Sequence, residues 1–135
     1  MTAIQALLGF AAWTLLLVAT VATYRLVRAL GGAKLTGWTR AARNPDDAPV
    51  MQRVADAHAN CLENLPVFAV IVLAGAALGR LEAIAPLAPL VLYARIGQSL
   101  VHLSGASAMH VLPRAALWMV QLALFVLMGL KLWPA

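Results

Sequence analysis

Polar side chains recur at helical spacing in a part of the chain that leads into an apolar run. The stretch RVADAHANCLENLPVF, residues 53–68, contains Arg53, Asp56, Asn60 and Glu63. Spacings of three, four and three residues place these side chains on one face of a helix. Guanidinium, amide and carboxylate groups together can bind a polar ligand by charge-assisted hydrogen bonds, or they can pair with one another.

A second polar face lies further along the chain. Arg95, Gln98 and His102 are spaced by three and four residues within another apolar segment, so they also share a helical face. Arg114 then opens the last apolar segment. The sequence therefore predicts two polar helix faces and one further arginine, which could act together only if the fold brings them to one end.

The composition indicates an integral membrane protein. The chain has 135 residues, of which 63% are hydrophobic and only 11% are charged. Its mean hydropathy is +0.85. A transmembrane helix needs about 20 apolar residues to cross a hydrocarbon core about 30 Å thick. Four segments approach this length, so we expect an all-α, single-domain bundle of four transmembrane helices at about 4–28, 48–79, 83–104 and 114–133.

Basic residues concentrate between the first two apolar runs. They are Arg25, Arg28, Lys34, Arg40, Arg43 and Arg53. The positive-inside rule predicts that this loop is cytoplasmic and that both termini lie on the opposite side. The polar halves of helices two and three and the start of helix four then meet near the cytoplasmic face. Unpaired charge is costly within a membrane, so these groups should face one another, a neighbouring subunit or a polar ligand.

Other classes of site find little support in the residue types. A single cysteine, Cys61, excludes an internal disulfide and a CxxC pair. His58 and His110 belong to no cluster spaced for a metal, and no metal site is expected. The basic residues follow membrane topology and have no interleaved aromatic surface, so nucleic-acid binding is not expected.

The motifs resemble those of a known membrane protein family. RVADAHANCLENLPVF, YARIGQSLVHLSG and Arg114 at the start of the last helix are similar to the membrane-associated proteins in eicosanoid and glutathione metabolism, the MAPEG family. The resemblance spans about residues 1–135, and its specific parts are Asn60-x-x-Glu63 with Pro66, and the Ala94–Arg95 pair. It implies a left-handed four-helix bundle assembled as a homotrimer, with glutathione between subunits near the cytoplasmic side.

The resemblance also implies roles for individual residues. Arg114 would stabilise the glutathione thiolate, and Asn60 and Glu63 would hold the polar backbone and amino group of the tripeptide. Arg28 would add a cationic contact from the end of helix one. The predicted binding residues are Arg28, Arg53, Asn60, Glu63, Asn64, Arg95, Gln98 and His102.

The expected chemistry is thiol activation. A guanidinium close to a thiol favours the anion and so lowers the pKa of the thiol, which increases the population of the nucleophile. The protein would then be a glutathione transferase or peroxidase that acts on lipophilic electrophiles or lipid hydroperoxides arriving from the membrane lipid.

The chain also departs from the family pattern. Asp56 and Ala59 stand where members that bind glutathione strongly usually place arginines, which reduces the attraction for the two carboxylates of the tripeptide. Two alternatives remain open. The chain could be a catalytically silent, structural member of the family, or it could be a small proton-coupled transporter that uses Glu63. The polar network could also serve only to join helices, with Glu63 paired to Arg53 or Arg95.

Overall fold

The computed structural model describes residues 1–34, 38 and 44–133. Arg40 and Arg43 of the predicted basic loop lie outside these residues. Over the described residues the chain is all-helical, without strands. Its five helices are α1 (Ala3–Leu30), α2 (Pro49–Ala77), α3 (Leu81–Ile84), α4 (Ala88–Ser104) and α5 (Ala108–Leu132).

The third predicted helix, at about 83–104, is divided in the structure. The short helix α3 ends at Ile84 and α4 begins only at Ala88. Pro86 lacks a backbone N–H and its ring obstructs a continuing helix, so the chain turns before α4 starts with Pro89 in its first turn. The last helix differs too, since α5 begins at Ala108 and carries Pro113 inside it.

Three helices are long and apolar enough to cross a membrane. They are α1, α2 and α5, with mean hydropathies of 2.0, 1.6 and 1.9 over their most apolar windows. Helix α4 has 17 residues, which is shorter than the about 20 that a perpendicular span needs. The chain is therefore a membrane protein with at least three helices of spanning length among the described residues.

The helices pack through mainly apolar stripes whose residues are spaced by three or four positions. Helix α2 buries Val54, Ala57, Cys61, Asn64, Phe68, Val72 and Gly75. At the centre, the ring of Phe68 lies 5.8 Å from that of Phe10 on α1 and 6.1 Å from that of Phe125 on α5. Aromatic contacts at these centroid distances stabilise a core beyond the area that they bury. This core fixes the relative positions of α1, α2 and α5.

The end of the bundle where α2 stops is closed by backbone and side-chain caps. Gly79 has a φ of +64°, and the N–H groups of Gly79 and Arg80 donate to the carbonyls of Ala76 and Gly75. This pattern is a Schellman motif, in which the left-handed conformation favours glycine. Arg80 Nη1 also donates to the carbonyl of Leu132 at 3.1 Å. The opposite end, where α2 begins and α4 ends, has a different construction.

Candidate functional site

A cavity of about 480 Å³ opens at the end of the bundle where α2 begins, α4 ends and α5 begins. This volume is within the range of small-molecule sites in proteins. Most of the lining comes from the first half of α2, which is polar on this face. The lining residues are Pro49, Gln52, Arg53, Asp56, Ala59, Asn60, His102, Ala106 and Arg114.

His102 is the most buried ionisable side chain of the lining, with 6% of its surface exposed. It lies in the last turn of α4. Its Nε2 is 3.9 Å from Oδ2 of Asp56, and its Nδ1 is 3.4 Å from Nδ2 of Asn60. The separation from Asp56 is longer than a hydrogen bond, so the two groups interact mainly through the charge of the carboxylate. The imidazole is thus held between a carboxylate and an amide from α2.

Two arginines give the cavity wall its positive charge. Arg53 Nε donates to the carbonyl of Leu103 at 3.0 Å, which joins the start of α2 to the end of α4. The backbone carbonyl of Arg114 accepts a hydrogen bond from Gln98 Nε2 at 3.2 Å. The guanidinium of Arg114 makes no hydrogen bond or ion pair with another described residue. With Asp56 in the same wall, an anionic group can meet two guanidinium groups and one carboxylate.

Four of the nine residues predicted for the site border this cavity. They are Arg53, Asn60, His102 and Arg114. The remaining five do not line it: Arg28, Glu63, Asn64, Arg95 and Gln98.

Two of these five, Arg28 and Glu63, are not buried between helices. Arg28 donates through Nη1 to the carbonyl of Asp46 at 3.0 Å and lies over the ring of Tyr24. Glu63 is exposed and forms no direct salt bridge with a described residue, although its charge interacts with Arg95 at longer range, so the predicted close pairing with Arg53 or Arg95 is absent from the described part of a single chain. Arg28 therefore braces the entry to α2, while Glu63 points out of the bundle one turn beyond Asn60.

The other three are buried between helices. Arg95 is only 1% exposed, and its guanidinium lies 5.4 Å from the centre of the Phe10 ring. Arg95 Nε and Nη2 and Asn64 Nδ2 are buried without a hydrogen-bond partner. Gln98 accepts a hydrogen bond through Oε1 from Gln121 Nε2 at 3.2 Å.

We use the term sealed layer for the buried set that lies deeper in the bundle than the cavity. It consists of Phe10, Asn64, Phe68, Arg95 and Ser99. Ser99 connects the layer to its surroundings, because its hydroxyl donates to the carbonyl of Arg95 at 2.9 Å and accepts from Trp13 Nε1 at 3.1 Å. The sealed layer joins α1, α2 and α4 beneath the cavity.

Sequence reasoning did not include Gln52 and Asp56 among the binding residues, although both line the cavity. A signal was present for each. Asp56 lies three residues after Arg53 and four before Asn60, and Gln52 lies four residues before Asp56. This spacing puts both on the helix face that carries the predicted site. Asp56 was placed on this polar face, but it was treated as a departure from a cationic position and was left out of the binding residues.

The sequence comparisons agree with the all-helical membrane architecture. The sequence model of the MAPEG family matches residues 3–133, which is nearly the whole chain. The chain belongs to the MAPEG family. Comparisons with curated proteins and with solved structures gave no significant match.

Proposed function

We propose that this protein is a membrane-embedded enzyme that binds glutathione in the cavity and activates its thiol. The thiolate would attack a lipophilic electrophile or reduce a lipid hydroperoxide. The observation that carries the proposal is the guanidinium of Arg114, which borders a cavity of about 480 Å³ and has no partner among the described residues. A guanidinium in such a place can stabilise an anion that the cavity receives.

The cavity wall offers groups that suit the rest of the tripeptide. Asn60 can exchange hydrogen bonds with a peptide group, and Arg53 can bind a carboxylate at the mouth of the cavity, near the start of α2. The carboxylate of Asp56 gives the wall mixed charge, which matches a ligand that carries both carboxylates and an amino group. The membership of the chain in the MAPEG family supports the same ligand class.

The exposed position of Glu63 supports assembly of several copies in a homotrimer. Glu63 lies on α2, a helix long and apolar enough to span a membrane, and it forms no ion pair with a described residue. A carboxylate facing acyl chains is costly, and a neighbouring copy can provide a polar partner. In such a trimer Glu63 would lie at the boundary between two subunits. The glutathione contacts predicted for Glu63 would then form at this boundary. Sedimentation of the protein in detergent would measure the number of copies, and a monomer would contradict this part of the proposal.

Thiolate formation provides the direct test. Purified protein in detergent is mixed with glutathione in a stopped-flow instrument, and the ultraviolet absorbance of the thiolate is followed at neutral pH. The wild-type protein should show a thiolate signal. Arg114→Ala should lose most of it and should conjugate a lipophilic electrophile about 10²-fold more slowly, because one stabilising donor has been removed.

Lys131→Ala is the matched control, since Lys131 is an exposed cation at the far end of the same helix. This variant should behave like the wild type. Absence of a thiolate signal in the wild type, or equal signals from wild type and Arg114→Ala, would overturn the proposed function.

A further inference from the structure

His102 lies among groups of both charges in the cavity wall. It lies in the last turn of α4, where the carbonyl groups of the helix end stabilise cations. Only 6% of its surface is exposed, and that side chain borders the cavity. The charged groups that line the cavity within the described residues are Asp56 and Arg53 from α2 and Arg114 from α5. The two arginines disfavour a third cation, whereas Asp56 favours it.

The hydrogen-bonding partners determine which ring nitrogen is basic. The amide nitrogen of Asn60 can only donate, so His102 Nδ1 accepts from it at 3.4 Å. The neutral ring then carries its proton on Nε2, which faces Oδ2 of Asp56 at 3.9 Å. The contact with Asn60 is long and therefore weak. Rotation of the amide by half a turn would present its oxygen to Nδ1, so Asn60 can serve both the neutral and the protonated ring.

We infer that His102 is the general base of the thiol activation, an inference that rests on the proposed function. The bound thiol displaces the long contact between Asn60 and Nδ1, and Nδ1 then takes the proton of the thiol: the S–H bond breaks, an N–H bond forms, and the electron pair stays on the sulfur beside Arg114. The imidazolium is stabilised by Asp56 through Nε2–H and by the end of α4. Asp56 is a positioning residue, because it acts through His102. The product is an ion pair in which the imidazolium faces Asp56 of α2 and the thiolate faces Arg114 of α5.

The location of the thiol proton tests the inference. Wild-type protein is mixed with glutathione in weakly buffered solution that contains a pH indicator, and the thiolate absorbance and the protons released to the medium are recorded together. If His102 keeps the proton, the wild type should release well under one proton for each thiolate formed. His102→Gln should release close to one proton for each thiolate and should conjugate about 100-fold more slowly, as expected for loss of a general base.

Two further variants complete the experiment. His58→Gln is the matched control, because His58 is a half-buried histidine of α2 that does not line the cavity, and it should behave like the wild type. Asp56→Asn should shift proton release part of the way toward the value for His102→Gln, since the imidazolium loses its carboxylate. This variant keeps the inference testable even where His102→Gln fails to fold.

The results distinguish this inference from the proposed function. A wild-type thiolate signal with one proton released for each thiolate would overturn the role of His102 and leave the role of Arg114 intact. Unchanged proton release in Asp56→Asn would overturn the positioning role of Asp56. The absence of any thiolate signal in the wild type would overturn both proposals.

Discussion

The cavity wall and the sealed layer contain the same kinds of polar residue in opposite surroundings. In the wall, Arg114 and Asn60 border open space. In the sealed layer, Arg95 is 1% exposed and Asn64 is 6% exposed, and both carry buried nitrogen atoms without a hydrogen-bond partner. Arg95 instead rests on the ring of Phe10. The difference shows that the space beside a polar group, more than its residue type, indicates whether it can serve a ligand.

The polar groups of the two regions also differ in their effect on the stability of the protein. A buried donor without a partner destabilises a protein by about 1–3 kcal/mol. The nitrogens of Arg95 and Asn64 incur this cost in the single chain, whereas water can reach the groups in the cavity wall until a ligand replaces it. The sealed layer should therefore respond to substitution mainly through stability, and the cavity wall mainly through binding.

The largest expected effect concerns the aromatic part of the sealed layer. Phe68→Ala should lower the free energy of unfolding by about 3–5 kcal/mol, because it removes a ring that contacts Phe10 and Phe125 and leaves a cavity. Denaturation in detergent followed by tryptophan fluorescence would measure the change. Val70→Ala, on the same helix at a position that is 67% exposed, should change stability far less. Equal losses in the two variants would show that the aromatic contacts are not central to the fold.

A smaller effect is expected at Arg95, where a substitution should stabilise the protein and not destabilise it. Arg95→Met keeps most of the side-chain volume and removes a buried charge with unpaired nitrogens, so it should raise the free energy of unfolding by about 1–4 kcal/mol. The glutathione thiolate signal should persist, because Arg95 does not line the cavity. Loss of that signal would place Arg95 in the functional site. Lower stability would mean that the guanidinium has a partner in the assembled protein.

The smallest expected effect tests whether charge in the cavity wall controls the affinity for the ligand. Ala59 lines the cavity and stands where the MAPEG pattern usually has an arginine. On the proposed function, Ala59→Arg should bind glutathione about 10-fold more tightly, through a new charge-assisted contact with a carboxylate. The gain should shrink at high salt. Ala59→Gln is the control, because it lengthens the side chain without adding charge. Calorimetric titration should show no comparable gain in affinity for this variant. An equal gain would rule out the electrostatic explanation.

Residue spacing predicted which residues share a polar face on α2 and on α4, and the composition predicted a helical membrane protein. The spacing of Arg53, Asp56 and Asn60 correctly placed them on one side of α2, where they line the same cavity. Spacing also explains why Asn64 is buried, since it lies three residues from Cys61 and four from Phe68, both of which are in the core. Family membership was recognised from the same motifs and is confirmed over residues 3–133.

Spacing did not predict depth along the helix axis or the way that separate segments pack. Arg95, Gln98 and His102 share a face of α4 and are all buried, yet only His102, at the helix end, reaches the cavity. Glu63 shares the face of Asn60 but lies beyond the cavity. The break before α4 was missed although Pro86 is a local signal for it, and the start of α5 at Ala108 was missed although Ser107 is of a residue type that is common at helix N-caps.

The hydrogen bond from Gln98 to the backbone carbonyl of Arg114 has a consequence for how the site would close on an anion. Gln98 is itself held by Gln121, so the peptide group at Arg114 is tied to the interior from two helices. Its main chain is already ordered before a ligand arrives. Binding an anion would then restrict only the side-chain torsions of Arg114, which costs at most about 2 kcal/mol of conformational entropy. A long side chain on an anchored main chain can thus reach an anion at different depths of the cavity.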